Sequence, residues 1–126
     1  MEFVKNVEGA PKPVGAYSPA VKANGFVFLA GQVGLDPSTG ALVEGGLEAQ
    51  TKQVLKNLAA VLNASGTSTQ KIVMTTIFLA NIQDAKAVNE LYGQFVSADA
   101  APARQTLAVK DLPLGALVEI SLIAAQ

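Results

Sequence analysis

Between Leu47 and Asn63 the apolar residues Val54, Leu55, Leu58, Val61 and Leu62 recur at three- and four-residue steps, the spacing that lines one face of an α-helix. Ser65-Gly66 follows and supplies a stop, because glycine readily takes the left-handed conformation that ends helices. From Ile82 to Phe95 the residues Val88, Leu91, Tyr92 and Phe95 fall at i, i+3, i+4 and i+7. A second helix is predicted there, with Asn81 as its N-cap. Elsewhere the pattern is that of strands. Phe26 to Ala30, FVFLA, is a compact apolar run between Asn24-Gly25 and Gly31 and reads as a buried strand. Lys71 to Ala80, KIVMTTIFLA, is β-branched and apolar on both alternating sides, which predicts a strand covered on each face. Arg104 to Lys110 and Leu117 to Ala124 read as the last two strands, and the intervening DLPLGA carries the Pro and Gly of a hairpin loop.

The segment from Gly9 to Pro19, with three prolines and two glycines, reads as an ordered loop between a short first strand and the body of the domain. DPSTG at Asp36 to Gly40 is a turn. No repeat, low-complexity tract or long interior linker divides the chain, so residues 1–126 form one domain. The predicted order is β-β-β-α-β-α-β-β, an α+β sheet with its helices on one face. Two helices cover only that face. The apolar strand at Ile72 to Leu79 therefore needs a second cover, and another copy of the chain is the simplest one.

Alternation along the final two strands sorts their side chains. Leu107 and Val109 group with Val118, Ile120 and Leu122 as an apolar side. Arg104 and Thr106 group with Glu119 and Ser121 as a polar side, expected on one face of the hairpin. Loop length leaves the separation of Arg104 and Glu119 open. A structural ion pair and a ligand site are both compatible with the pattern, but charge is scarce, at 15% of residues. A charge buried by subunit contact requires a partner or a ligand.

Composition then removes several chemistries. With no Cys and no His, the chain cannot build a disulfide framework, a thiolate zinc site, a Cys nucleophile or a Ser-His-Asp triad. The net charge of −1 gives no general excess of cations for phosphates, which disfavours nucleic acid as a partner. The start, MEFVKNVEG, lacks the apolar run of a secretory signal, and no stretch approaches a membrane span. A cytoplasmic protein is expected.

Several stretches together resemble the RidA/YjgF family of enamine/imine deaminases over nearly the whole chain. They are VGAYSPAV from Val14, AGQVGLDPSTG from Ala30, QTKQVLKNLAAVLNASG from Gln50, VMTTIFLANIQD from Val73, VNELYGQFV from Val88 and PARQTLAVKDLPLGALVEISLIA from Pro102. The resemblance implies a chorismate-mutase-like fold with one mixed sheet, assembled as a homotrimer with ligand clefts between subunits. It implies hydrolysis of 2-aminoacrylate and 2-iminobutyrate to 2-keto acids and ammonia, without cofactor or metal. A non-catalytic trimer that binds keto acids is the alternative. By the same resemblance, Arg104 holds the substrate carboxylate, Tyr17 and Glu119 orient water or handle protons, and Asn89 stands at the margin of the site. Gly31 and Thr106 match positions whose backbone approaches the ligand. Ala30 departs from a position where the family often has Ser, and Gln105 from one where a small residue is common.

Overall fold

The computed structural model describes residues Met1–Gln126. Its strands are β1 (Glu2–Val4), β2 (Ala20–Ala23), β3 (Phe26–Gln32), β4 (Ile72–Leu79), β5 (Ala103–Ala108) and β6 (Val118–Ala125). Helix α1 (Gly46–Ala64) lies between β3 and β4, and α2 (Ala85–Phe95) between β4 and β5. The order is the one the periodicity predicts. Asn24 and Gly25, with φ of 50° and 82°, form the two-residue turn joining β2 to β3, both in the left-handed region that this kind of hairpin requires.

All five apolar residues singled out on α1 are buried. With Val27, Ile120, Leu122 and other inward residues of the sheet they form the core. On α2, Val88 and Tyr92 are buried while Leu91 and Phe95 are half-buried. Asn81 caps a different element from the one expected. Its Oδ1 accepts the Gln83 backbone N–H at 2.9 Å, closing a short 3-10 turn at Ile82–Asp84 that precedes α2. Three polar residues of α1, Gln50, Thr51 and Asn57, are also buried, and two of them tie down loops. Asn57 Nδ2 donates to the Leu35 carbonyl at 2.9 Å, and Gln50 Oε1 accepts the Leu117 backbone N–H at 2.8 Å. Gly34 packs so closely that a Cβ there would lie 2.8 Å from the Gln50 carbonyl oxygen.

The six strands lie in the order β1-β2-β3-β6-β4-β5. Only β4 and β5 are parallel; the other neighbours are antiparallel. This overturns the final hairpin, because β5 and β6 flank β4 instead of pairing with each other. The unit β4-α2-β5 is a strand-helix-strand crossover, which returns the chain parallel to its first strand. Strand β5 takes the outer edge of β4, so β6 enters antiparallel on the inner edge, against β3. The Pro- and Gly-containing loop passes over the end of β4, where the Ala80 N–H bonds the Leu117 carbonyl at 3.1 Å.

Both helices cover the same face. On the other face β3 presents Phe26 and Phe28, which are 41% and 43% exposed, so the run predicted to be wholly buried alternates within one chain. Met74, Thr76 and Phe78 of β4 are only half-buried there.

Candidate active site

Register partners on neighbouring strands point to the same face of a sheet. Arg104 pairs with Thr75 and Glu119 pairs with Phe78. Thr75 and Phe78 are three residues apart, so their side chains point to opposite faces. Arg104 and Thr106 accordingly lie on the helix side with Ile120 and Leu122, while Glu119 and Ser121 lie on the open side with Gln105 and Leu107. The shared polar face expected for Arg104, Thr106, Glu119 and Ser121 does not form. Alternation within each strand holds, but the strand inserted between them sets their relative phase.

The acidic half of the site is built at a defect in the sheet. Leu29 pairs with Leu122 and Gln32 with Ile120, so Ala30 and Gly31 together stand opposite Ser121 alone. This β-bulge interrupts the alternation of β3 and brings Gly31 against Glu119. A Cβ on Gly31 would lie 2.5 Å from Glu119 Oε2, so any side chain there would displace the carboxylate. Glu119, Gly31 and Tyr17, with Ala30 and Pro113, line a cavity of about 260 Å³. Tyr17 is 52% exposed on the Pro-rich loop, and the end of that loop is tied to the bulge by the Ala30 N–H bonding the Pro19 carbonyl at 2.9 Å. A larger open depression of about 940 Å³, also lined by Phe28 and Val21, shares Tyr17 and Ala30 with this cavity.

Burial pushes the Glu119 carboxyl above its usual range, because loss of water disfavours the charged form. No cation offsets it. The ion pairs of the chain are Lys22 with Glu2 and Lys52 with Glu48.

The basic half sits at the β5 edge, under α2. Arg104 Nη1 donates to Asn89 Oδ1, and the guanidinium lies 5.3 Å from the centroid of the Tyr92 ring. No carboxylate pairs with it. Thr106, half-buried, is two residues further along β5 on the same face. The chain thus joins Tyr17, Gly31 and Glu119 in one group, and Arg104, Asn89 and Thr106 in another. It does not join the groups. Tyr92 and Pro113 enter the picture only with the structure. Tyr92 falls three residues after Asn89 on one helix face, a signal masked by its place in the apolar stripe.

The family model described as Endoribonuclease L-PSP matches residues 7–126. Human 2-iminobutanoate/2-iminopropanoate deaminase is 42% identical over 117 residues, which cover 93% of this chain and 85% of the human protein. Chloroplastic Reactive Intermediate Deaminase A of Arabidopsis thaliana is 49% identical over 121 residues, covering 96% of this chain and 64% of the plant protein. The crystal structure of RidA from the Antarctic bacterium Psychrobacter sp. PAMC 21119 superposes with a TM-score of 0.93 at 36% identity, over 99% of this chain and 100% of that one. Fold, family model and sequence identity agree along almost the full length, and the chain belongs to the RidA/YjgF family.

Proposed function

We propose that this protein hydrolyses 2-imino and 2-enamino acids, such as 2-iminobutyrate and 2-aminoacrylate, to 2-keto acids and ammonia. The reaction takes place where the Arg104 edge of one copy meets the Glu119 pocket of the next. The observation that carries this reading is a pair of incomplete halves: a guanidinium with no acidic partner and a half-buried carboxylate with no cation. A 2-imino acid supplies what each lacks, a carboxylate for the first and an electrophilic carbon with transferable protons for the second. The names of the human and plant relatives support the same chemistry.

In this reading Arg104 grips the substrate carboxylate through its planar fork, with Asn89 and the Thr106 backbone beside it. Glu119 takes a proton from water as the water oxygen adds to the protonated imine carbon. The proton then passes to the nitrogen of the tetrahedral adduct, and as the C–N bond breaks and ammonia leaves, the adduct's hydroxyl gives its proton back to Glu119 and the C=O of the keto acid forms. Tyr17 orients the water, and Gly31 leaves room for the carboxylate. The iminium is electrophilic enough that no metal or organic cofactor is required. A nuclease reading, which the family description invites, is less well served by a chain with no His and with 9 basic against 10 acidic residues. No helix is long and apolar enough to cross a membrane.

The direct test generates the two imines in situ with an amino-acid-consuming enzyme and follows their disappearance with and without the protein. Unchanged decay rates rule out the activity. A keto acid that binds without turnover favours the alternative ligand-binding role.

Native mass spectrometry at micromolar concentration is expected to show a trimer of about 39 kDa, three times the 12.9 kDa chain. Contact between copies would cover Phe26, Phe28 and Phe78. A monomer alone would remove the shared site. The Ala30 position supplies a further expectation. Its side chain lines the Glu119 cavity, so Ala30→Ser should raise turnover of small imines from a few-fold up to about a hundredfold if a hydroxyl there relays protons. Equal turnover in a folded variant would assign the relay to water or another group.

A further inference from the structure

Tyr92 is 4% exposed and touches both strands of the parallel pair. Its hydroxyl is hydrogen-bonded to Thr75 Oγ1 at 2.9 Å, in a buried contact. Its ring faces the guanidinium of Arg104, the register partner of Thr75. Asn89, one helical turn earlier, accepts the bond from Nη1. Arg104 itself is exposed, and a long exposed side chain ordinarily samples many rotamers. Here one aromatic surface and one amide confine it. The ring cannot tilt away freely, because the Thr75 bond holds its far end against β4.

We infer that Tyr92 is a positioning residue: its ring, held in place by Thr75, fixes the plane in which Arg104 presents its donors to a carboxylate. This rests on the reading that Arg104 binds the substrate carboxylate. Arginine binds carboxylates through two parallel N–H bonds whose direction matters, so a guanidinium of fixed plane loses less freedom on binding than a loose one. Cation–π attraction to the ring supplies the restraint without using an N–H group. Only one N–H is bonded to Asn89, leaving the others for a ligand.

The experiment compares Tyr92→Leu and Tyr92→Phe in the assembled protein. It measures KM and kcat for 2-iminobutyrate, the Kd of 2-ketobutyrate by calorimetry, and thermal unfolding. Tyr92→Leu is expected to raise KM and Kd about 2- to 12-fold, the cost of immobilising one rotamer-rich side chain on binding. Its kcat should change less than about twofold, as for an interaction made equally in the ground and transition states. Tyr92→Phe keeps the ring but loses the bond to Thr75, so it should recover only part of the loss in Kd. In an Arg104→Ala background, Tyr92→Leu should leave Kd unchanged. Should Tyr92→Leu fail to assemble, Tyr92→Met, whose longer unbranched side chain adapts to the space the ring leaves, carries the same expectation.

Wild-type KM and Kd in a folded Tyr92→Leu or Tyr92→Met trimer would overturn the inference. So would an equal loss of Kd in the Arg104→Ala background, which would mark a merely structural role. The underlying reading fails separately: if Arg104→Ala alone keeps wild-type KM and kcat, Arg104 is not the carboxylate anchor.

Discussion

Arg104→Ala is expected to lower kcat/KM for 2-iminobutyrate by roughly 30-fold to several thousandfold. The estimate follows from the cost of truncating one member of a desolvated charge pair, about 2 to 5 kcal/mol, at about 1.4 kcal/mol per decade of rate. The upper part of the range applies if a second copy shields the Arg104 edge, because the substrate carboxylate would then face no water in place of the guanidinium. Arg104→Lys should recover only part of the loss, since an ammonium keeps the charge but lacks the planar fork. Stability should change little. Arg104 is exposed, and its contacts with Asn89 and Tyr92 lie at the rim of the core, so Tm should shift by no more than a few degrees. Steady-state deamination and thermal unfolding of the purified variants check both expectations. Wild-type activity in a correctly assembled Arg104→Ala protein would remove the carboxylate-anchor mechanism.

Glu119→Gln is expected to lower kcat by about a hundred- to ten-thousandfold, the contribution of a placed general base. It should also abolish the acid limb of the pH-rate profile. In the wild type that limb falls as pH drops through the Glu119 pKa, which burial holds above its ordinary value of 4.5. Stability should move the opposite way from activity. A carboxyl whose pKa is raised by folding binds its proton more tightly in the folded chain than in the unfolded one. The stability this confers is fully present below the unfolded pKa, near 4.5, and is lost as pH rises through the folded value. The wild type therefore carries a buried charge at neutral pH that Glu119→Gln does not. The variant should melt higher than the wild type at pH 7 and lose that advantage near pH 4. A Tm difference that is constant across this range would show that burial does not govern Glu119, and an intact acid limb in Glu119→Gln would assign the base to another group.

Much of this molecule can be read from local pattern. Val54, Leu55, Leu58, Val61 and Leu62 mark the buried face of α1 because 3.6 residues complete each helical turn wherever the helix packs. Asn24-Gly25 marks its turn because few residue pairs tolerate two positive φ values. The candidate residues were likewise nameable in advance, Arg104 and Glu119 from their polarity within apolar strands and the others from resemblance.

Where those residues sit relative to one another is a property of pairing, which local pattern does not carry. Arg104 to Lys110 and Leu117 to Ala124 were recognisable as strands, but a loop containing Pro and Gly serves a hairpin and a passage over a neighbouring strand equally well. The insertion of β4 between them decided the phase, and with a side-chain period of two, one step of phase moves a residue to the opposite face. Arg104 and Glu119 were separated in this way. The bulge at Ala30 and Gly31 is a second case, since an extra residue in a strand is visible only against its partner, here the single residue Ser121. The amino-acid sequence by itself thus determined the elements, their order and the chemical groups available, because each depends on neighbours along the chain. The tertiary structure alone decided which face each group occupies and which groups meet, because those depend on strand partners up to 99 residues away, as between Phe26 and Ala125.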